Sequence, residues 1–151
     1  MIAFAQKIDN LIEPLRKLAN FIGAPIFDLS VRLYLGYEFF KSGLTRWNDF
    51  SNGSFDNQIF LFELEHPVPG LDPATAAYMT LAGEMILPIM LFVGLFSRFA
   101  AAGLLIMTAV IEFTYGHFDV HILWAFLGLM IFIKGPGALS LDYLILKTIR
   151  K

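Results

Sequence analysis

Three charged side chains interrupt a stretch of sequence that is otherwise apolar enough to cross a membrane. The stretch covers residues 28–46 (DLSVRLYLGYEFFKSGLTR), and between its charged end residues, Asp28 and Arg46, it contains Arg32, Glu38 and Lys41. A charged group is costly in hydrocarbon unless it meets a partner or water, and ionisable residues inside membrane spans are by default candidates for a functional site. We therefore expect these side chains to face other polar groups inside a helical bundle.

Later apolar segments carry ionisable residues that can act as partners. Glu84 lies near the middle of one such segment and Glu112 near the end of the next, and the histidines His117 and His121 follow at the turn after it. These residue types can form ion pairs, hold a polar ligand or move protons, but they also stabilise helical bundles without any chemistry. Both interpretations remain open from the sequence.

The positions of the charged residues along their helices predict a shared layer. At a rise of about 1.5 Å per residue, Glu38, Glu84 and Glu112 come to about 18–20 Å from the cytoplasmic side, and Lys41 to about 23 Å. Arg32 lies lower, at about 10 Å. We predict a polar site inside the bundle around Arg32 and Glu84, with Lys41 as the nearest cation to the carboxylates. Its candidate residues are Arg32, Glu38, Lys41, Arg46, Glu84, Arg98, Glu112 and His121.

The two histidines could also hold a metal ion, because residues four apart share one face of a helix. However, Gly116 and Asp119 indicate a turn at that point, and two ligands alone make a weak site. We predict no metal site, with His117 and His121 as the weak candidates for one, and expect them to lie at the membrane interface or to form hydrogen bonds.

Composition excludes several classes of protein. Only 16% of the 151 residues are charged and 57% are hydrophobic, whereas soluble domains have about 25% charged residues. The chain contains no cysteine, which excludes disulfides, thiol catalysis, cysteinyl zinc sites and ordinary iron–sulfur ligation. The net charge of −2 gives no indication of a nucleic-acid partner, and we predict none.

Hydrophobic periodicity predicts a single all-α membrane domain, 1–151, in which four transmembrane helices form a bundle with an amphipathic interfacial helix at each end. Pro14 is expected to kink or split the first amphipathic helix. The apolar middle of the long loop predicts a short helix at 58–65. The predicted elements are an amphipathic helix at 1–24, spans at 25–43, 74–96, 99–115 and 120–134, an outer loop at 44–73, and an amphipathic basic tail at 138–151.

Two faces of the first span have different characters. At 100° per residue, Glu38 and Lys41 lie on one side and can pair with each other. Glycines on the opposite side allow a neighbouring helix to approach closely. That opposite face comprises Arg32, Gly36, Phe39, Gly43 and Arg46.

Basic residues predict the orientation. They concentrate in the N-terminal segment, at Arg98 in the turn between the second and third spans, and in the tail. Because cytoplasmic loops carry an excess of Lys and Arg, we place both termini of this multi-pass protein in the cytoplasm.

Three segments together resemble the DoxX family. RLYLGYEFFKSGLTRW (32–47) is similar to the signature of its first helix, and GEMILPIMLFVGLFSRFAA (83–101) to its second. HILWAFLGLMIFIKGPGALSLDYLI (121–145) resembles its last helix, which ends in a GPG–SLD element. The resemblance covers residues 28–145. A further segment, FELEHPVPGLDPATAA, is similar to a subgroup found beside genes for small modified peptides and metal handling.

The resemblance implies a four-helix inner-membrane protein tied to redox metabolism. Relatives include a subunit of a thiosulfate–quinone oxidoreductase and a component of a membrane-bound oxidative-stress complex. The polar residues that match family positions are Arg32, Arg46, Glu84 and Arg98. The GPG element at 135–137 and Asp142 match the family as well. Glu38, Lys41 and Glu112 match no family role.

Three functions are consistent with these observations. The first is a subunit of a membrane oxidoreductase that is not active alone. Its candidate cofactor is a quinone, and its expected partner is a second protein subunit. The second is a non-catalytic scaffold or accessory protein for a neighbouring enzyme or for a modified-peptide or metal-handling system. The third, less favoured, is a small transporter or proton path. Contact with the lipid bilayer is common to all three, and the glycine-lined faces allow a homo-oligomer.

Overall fold

The protein is built from helices joined by short connections. The computed structural model describes residues 2–65 and 67–150, and within those residues there is no β-strand. The all-α prediction is confirmed. The helices are α1 (Ile2–Leu18), a π-helical turn (Ala19–Gly23), α2 (Ala24–Ser51), α3 (Asp56–Leu64), α4 (Pro73–Val93), α5 (Ser97–Thr114), α6 (Asp119–Lys134) and α7 (Leu141–Ile149).

Four of the helices form the bundle. Helix α2 packs against α4, α4 against α5, α5 against α6, and α6 against α2, so that the four close into a ring, while α3 packs against the outside of α4. The centre of the ring is filled by small and branched apolar side chains, which allow the helices to approach closely. The buried core residues are Val31, Leu35, Phe39, Leu91, Ala100, Ala101, Leu104 and Ile131.

Among the residues that the structure describes, three helices are long and apolar enough to cross a membrane: the continuous helix over Ile8–Ser51, α4 and α5. Helix α6 has 16 residues, slightly fewer than the usual range of about 17–25 for a span. Three of the four predicted spans thus meet the criterion of length and composition, and the fourth remains a prediction.

The outer surface of the bundle is apolar. Large hydrophobic side chains point outward from several bundle helices, as in Phe99 and Phe113 on α5 and Phe126 and Ile133 on α6. A soluble protein rarely exposes apolar patches of such extent, and exposed apolar surface of this kind marks membrane or protein contacts. The exterior therefore fits a lipid environment.

The N-terminal helices differ from the prediction in where they break. Helix α1 continues through Pro14, and the irregularity comes later, at the π-helical turn. A π-helical turn inserts one wider turn without ending the helix, so α1 leads directly into α2. Charged residues of α1 pair on its exposed side, where Arg16 lies 2.7 Å from Asp9.

Helix α2 is also longer than the predicted span, which ended at residue 43. It continues to Ser51, and the short helix predicted at 58–65 is present as α3. Residues 44–51, assigned from the sequence to the outer loop, therefore belong to the same rigid helix as Arg32. This extension places Arg46 inside the bundle wall.

The predicted common face of α2 is turned inward. Arg32, Gly36, Phe39 and Gly43 are buried. A Cβ atom placed on Gly43 would lie 2.8 Å from the carbonyl oxygen of Glu84, so the backbones of α2 and α4 touch at this point. Only glycine permits this approach, and the approach brings the polar groups of the two helices within reach of each other.

Candidate functional site

A buried ion pair joins α2 and α4. Glu84 is 1% exposed, and its Oε2 atom lies 3.2 Å from Nε of Arg46. Ser42, one turn before Arg46, donates a hydrogen bond to Oε1 of Glu84 at 3.1 Å. Nε of Arg46 and Oε2 of Glu84 are within ion-pair distance but are not aligned for a hydrogen bond, so both atoms keep unused hydrogen-bonding capacity.

Residues of the outer segment complete the surroundings of Arg46. Gln58 on α3 accepts a hydrogen bond from Arg46 at 3.2 Å and donates one to Asp49 at 2.5 Å. The guanidinium also lies over the ring of Phe62, 5.9 Å from its centroid, at a distance typical of cation–π contacts. Arg46 is therefore held by Glu84 on α4 and by Gln58 and Phe62 on α3.

A cavity of about 520 Å³ opens beside this ion pair. Arg46, Glu84 and Ser42 form part of its wall, and His121 and Trp124 on α6 also line it. The other lining residues are mostly apolar: Phe62, Val68, Leu71, Ala76, Met79, Thr80, Ile106, Met107, Val110, Ile111, Thr114 and Tyr115. An apolar chamber with a few convergent polar groups and a volume of about 300–1,000 Å³ is typical of small-molecule sites.

A second polar group lies where α5 meets α6. Glu112 binds two imidazoles: its Oε1 is 2.7 Å from Nδ1 of His117 and its Oε2 is 2.6 Å from Nδ1 of His121. His117 is exposed, whereas the side chain of His121 is 6% exposed. The carboxylate thus connects an imidazole at the outer surface with one in the cavity wall.

Trp124 presents a polar atom without a partner. Its ring packs 5.1 Å from Phe39 and 5.3 Å from His121, measured between centroids. Its Nε1 atom is buried and has no hydrogen-bond acceptor among the described residues. A buried donor left unsatisfied costs about 1–3 kcal/mol, and Trp124 is one of the residues that line the cavity.

Arg32 belongs to a different cluster, at the opposite end of the bundle. It is 1% exposed and donates a hydrogen bond to the carbonyl of Leu91 at 2.9 Å and another to the carbonyl of Leu139. Below it, Lys134 pairs with the buried carboxylate of Asp28. These contacts attach the segment after α6 to α2 and α4, which is a structural role.

The GPG–SLD segment folds back onto the turn between α4 and α5. Asp142 accepts hydrogen bonds from the backbone N–H groups of Phe96 and Ser97, at 2.8 and 2.9 Å, and so caps the first turn of α5 from another helix. Its own N–H donates to the carbonyl of Gly94 at 2.9 Å. Gly94 has φ +73°, and a Cβ atom there would lie 2.4 Å from Arg32, so this junction requires glycine.

The structure therefore divides the predicted polar site into separate groups. Glu84 and Arg46 meet each other, Glu112 meets His121 and His117, and Arg32 contacts backbone carbonyls near the other end of α4. The prediction of one cluster around Arg32 and Glu84 is wrong, because Arg32 lies more than three turns before Arg46 on the same helix.

Besides Arg32, three further predicted site residues join neither ion-pair group. Lys41 is exposed and Glu38 half-buried, and neither forms an ion pair within the described part of the chain, with each other or with Glu84. We expected Lys41 to be the cation nearest the carboxylates. Glu84 pairs with Arg46 instead, because α2 continues past residue 43 to Ser51. Arg98 is exposed and lies against Gly135, where an added Cβ atom would be 3.4 Å from its Nη2 atom.

Sequence analysis missed several residues of the site, namely Ser42, Asp49, Gln58, Phe62 and the N–H of Trp124. The spacing of Ser42 before Arg46, four residues, is a usable signal once α2 is known to be continuous. Gln58 is a polar residue in an apolar, aromatic segment, which also indicates burial. No group of three or more metal-ligand side chains with suitable geometry forms within residues 2–65 and 67–150.

The fold and the site together define a helical membrane protein with buried ion pairs and a partly open, largely apolar cavity that a few polar side chains line. The chain belongs to the DoxX family, whose profile matches residues 27–117. It is also similar to an uncharacterised protein of Haemophilus influenzae, with 29% identity over 141 residues that cover 84% of this chain and 88% of the relative. No solved structure gives a significant match. The predicted resemblance is confirmed.

Proposed function

We propose that the protein is the membrane subunit of a redox system and binds a quinone in the cavity between α2, α4, α5 and α6. The observation that carries the proposal is the cavity itself, in which Arg46, Glu84, His121 and Trp124 converge on an apolar chamber of about 520 Å³. A chamber of this kind suits an apolar ring that carries a few hydrogen-bonding oxygens.

The donors present fit the chemistry of a quinone ring. Its two carbonyl oxygens accept hydrogen bonds, and Trp124 offers a buried N–H that has no acceptor among the described residues. Arg46 lines the cavity as well, and its guanidinium group carries further N–H donors for the second carbonyl oxygen. The remaining wall, including Met79, Ile106 and Met107, is apolar and suits the ring faces and the start of an isoprenoid tail.

The proposal includes a protein partner that exchanges electrons with the bound ring. The sequence has no dinucleotide-binding glycine fingerprint of the G-x-G-x-x-G type, so we assign to this chain the binding and orientation of the quinone and the handling of its protons. Helix α3 and the loop after it lie beside the cavity and form the wall at which a partner on the outer side would dock.

We also propose that α6 is a fourth span and that both termini face the cytoplasm. Between Asp119 and Lys134 helix α6 has no charged residue. With four spans the basic residues concentrate on the side of the termini, and cytoplasmic segments carry the excess of Lys and Arg. Because the chain lacks cysteine, single cysteines placed at the exposed positions Asn52 and Thr148 report topology. An impermeant maleimide should label N52C in intact cells and T148C only after permeabilisation.

Quinone binding is tested by titrating the purified protein with a short-chain ubiquinone in mild detergent, by calorimetry. We expect saturable binding to the wild type and its loss in Thr80→Trp, which fills the cavity. Thr45→Trp, at an exposed position on α2, is the matched control and should bind normally. Absence of saturable binding in the wild type would refute the proposal.

Two other results would redirect the assignment. Co-purification of a second protein without any quinone, combined with no binding of the short-chain ubiquinone, would favour the scaffold function. Proton or ion flux into liposomes that carry the protein alone would favour a transporter.

A further inference from the structure

His117, Glu112 and His121 form a continuous hydrogen-bonded chain from the outer surface to the cavity. One carboxylate oxygen of Glu112 lies 2.7 Å from Nδ1 of His117 and the other lies 2.6 Å from Nδ1 of His121. The side chain of His117 is 81% exposed, that of Glu112 is 26% exposed and that of His121 is 6% exposed. Exposure thus decreases steadily along the three side chains.

The arrangement fixes the tautomer of His121. When Glu112 is ionised it can only accept hydrogen bonds, so Nδ1 of His121 must carry the proton. Nε2 is then the ring nitrogen with a free lone pair, and it has no hydrogen-bond partner among the described residues. The rings of Phe118 and Trp124 pack against the imidazole, and Glu112 is the only charged group with a hydrogen bond to it in the part of the chain that the structure describes.

We propose that His121 is the proton acceptor for a hydroxyl group of a ligand in the cavity and that Glu112 and His117 conduct the proton to the outer surface. This proposal deepens the function proposed above and rests on it, because it needs an apolar ligand that carries an ionisable hydroxyl, such as a quinol. Glu112 contacts the imidazole of His121 and does not line the cavity, so it acts on the ligand only through His121.

His121, Glu112 and His117 together account for the proton that the ligand hydroxyl group loses. The O–H bond of the ligand breaks, its electron pair stays on the oxygen, and a new N–H bond forms at Nε2 of His121. The imidazolium is stabilised by the adjacent carboxylate of Glu112. The Nδ1 proton of His121 then passes to Oε2 of Glu112. Since Nδ1 of His117 also carries a proton when Glu112 is ionised, the exposed ring of His117 flips to present its unprotonated Nε2 to the carboxyl group, takes up this proton and releases its Nδ1 proton to water. One proton reaches water for each proton taken from the ligand, and a flip of the His121 ring restores its Nδ1–H.

A phenol with visible absorption tests this step without an electron-transfer partner. The probe is an alkyl-substituted 4-nitrophenol, whose phenolate is coloured and whose phenol is not, used at a pH at which the free probe is protonated. We expect bound probe in the wild type to be largely phenolate. In His121→Gln, which removes the acceptor, and in Glu112→Gln, which removes the opposite charge beside it, the ratio of phenolate to phenol should fall by about tenfold or more.

A matched variant distinguishes proton release at His117 from proton uptake at His121. His117→Gln removes only the exposed imidazole, so bound probe should remain phenolate, while a pH indicator in the medium should report slower proton release in stopped flow. Thermal unfolding of each variant shows whether the fold is retained, and Glu112→Gln keeps the acceptor ring if His121→Gln fails to fold.

The outcomes distinguish the two proposals. Failure of the probe to bind to the wild type, together with failure of the short-chain ubiquinone, contradicts the proposed function. Binding of the probe as neutral phenol in the wild type, or an unchanged phenolate ratio in both His121→Gln and Glu112→Gln, contradicts the proton relay alone.

Discussion

Arg46 on α2 lies 3.2 Å from the carboxylate of Glu84 on α4, at a point where both helices line the cavity. The pair is possible because Gly43, one turn before Arg46, lets the two backbones touch. Ser42 and Gln58 hold the two charged groups from opposite sides. The backbone contact between α2 and α4 at Gly43 therefore also brings Arg46 and Glu84 together in the cavity wall.

Removal of one member of this pair should destabilise the protein strongly. Glu84→Ala or Arg46→Ala leaves an uncompensated charge, and for buried pairs the cost is about 3–5 kcal/mol; we expect the lower part of this range, because the side chain of Arg46 is 20% exposed. Thermal unfolding in detergent measures the effect. The control Lys41→Ala removes an exposed and unpaired cation and should change the free energy of unfolding little; equal effects at positions 41 and 46 would contradict the assigned pairing.

Gly43→Ala should separate α2 from α4. The new methyl group would lie 2.8 Å from the carbonyl oxygen of Glu84, and backbone atoms cannot move aside as a flexible side chain can. Overpacking of this kind costs about 1–3 kcal/mol, and we expect weaker ligand binding as well, since Arg46 moves relative to Glu84.

Gly23→Ala is the matched control for Gly43→Ala. Gly23 has helical dihedral angles, and no atom lies within 4 Å of its added Cβ position. Alanine there should be neutral or stabilising by up to about 1 kcal/mol, because it restricts the unfolded chain. If Gly43→Ala is as well tolerated as Gly23→Ala in thermal unfolding, the close contact between α2 and α4 is incorrect.

Asp142→Ala should loosen the start of α5. The substitution removes the acceptor for the N–H groups of Phe96 and Ser97, and loss of a capping carboxylate costs about 0.5–2 kcal/mol. Amide hydrogen exchange at these two residues should become faster. Asp119→Ala, in the first turn of α6, removes a carboxylate that accepts no hydrogen bond from the described residues, and it should leave exchange at Phe96 and Ser97 unchanged.

The start of α4 should respond to pH through Asp72. The backbone N–H of Thr75 donates a hydrogen bond to this carboxylate at 2.9 Å, which lowers the pKa of Asp72 below its ordinary value of 3.8. A lowered pKa means that the cap contributes fully above the ordinary value and is lost as the pH falls through the lowered one. Exchange at Thr75 should therefore accelerate only in acid, and in Asp72→Asn this acid-dependent step should disappear. Persistence of the step in Asp72→Asn would assign it to another group.

Much of the fold was predictable because it follows from local patterns. Apolar periodicity indicated the helices, and the 100° rotation per residue correctly placed Arg32, Gly36, Phe39 and Gly43 on one buried face. The end of α2 was not predictable in the same way, because residues 44–51 (LTRWNDFS) mix polar and aromatic side chains without a clear apolar face and resemble a loop. They remain helical because Arg46 and Asp49 find partners on α3 and α4.

The pairings within the site depend on contacts between distant parts of the chain. Asp142 caps a helix that begins 45 residues earlier, and no periodicity in either segment indicates this. The position of Glu84 along α4 indicated that its side chain lies inside the bundle. Its partner, Arg46, could not be identified without knowing that α2 extends to Ser51. Contacts of this kind are set by how the helices pack, so the sequence supplied the candidates and not their pairing.

The most direct test of the quinone site is photolabelling with an azido-quinone, followed by mass spectrometry of the labelled peptides. We predict labels on cavity-lining residues of α4 and α5, such as Ala76 and Met107, that disappear with excess unlabelled short-chain ubiquinone and in Thr80→Trp. Labels confined to outward-facing residues such as Phe99 and Phe113 on α5, unaffected by competitor, would contradict binding in the cavity.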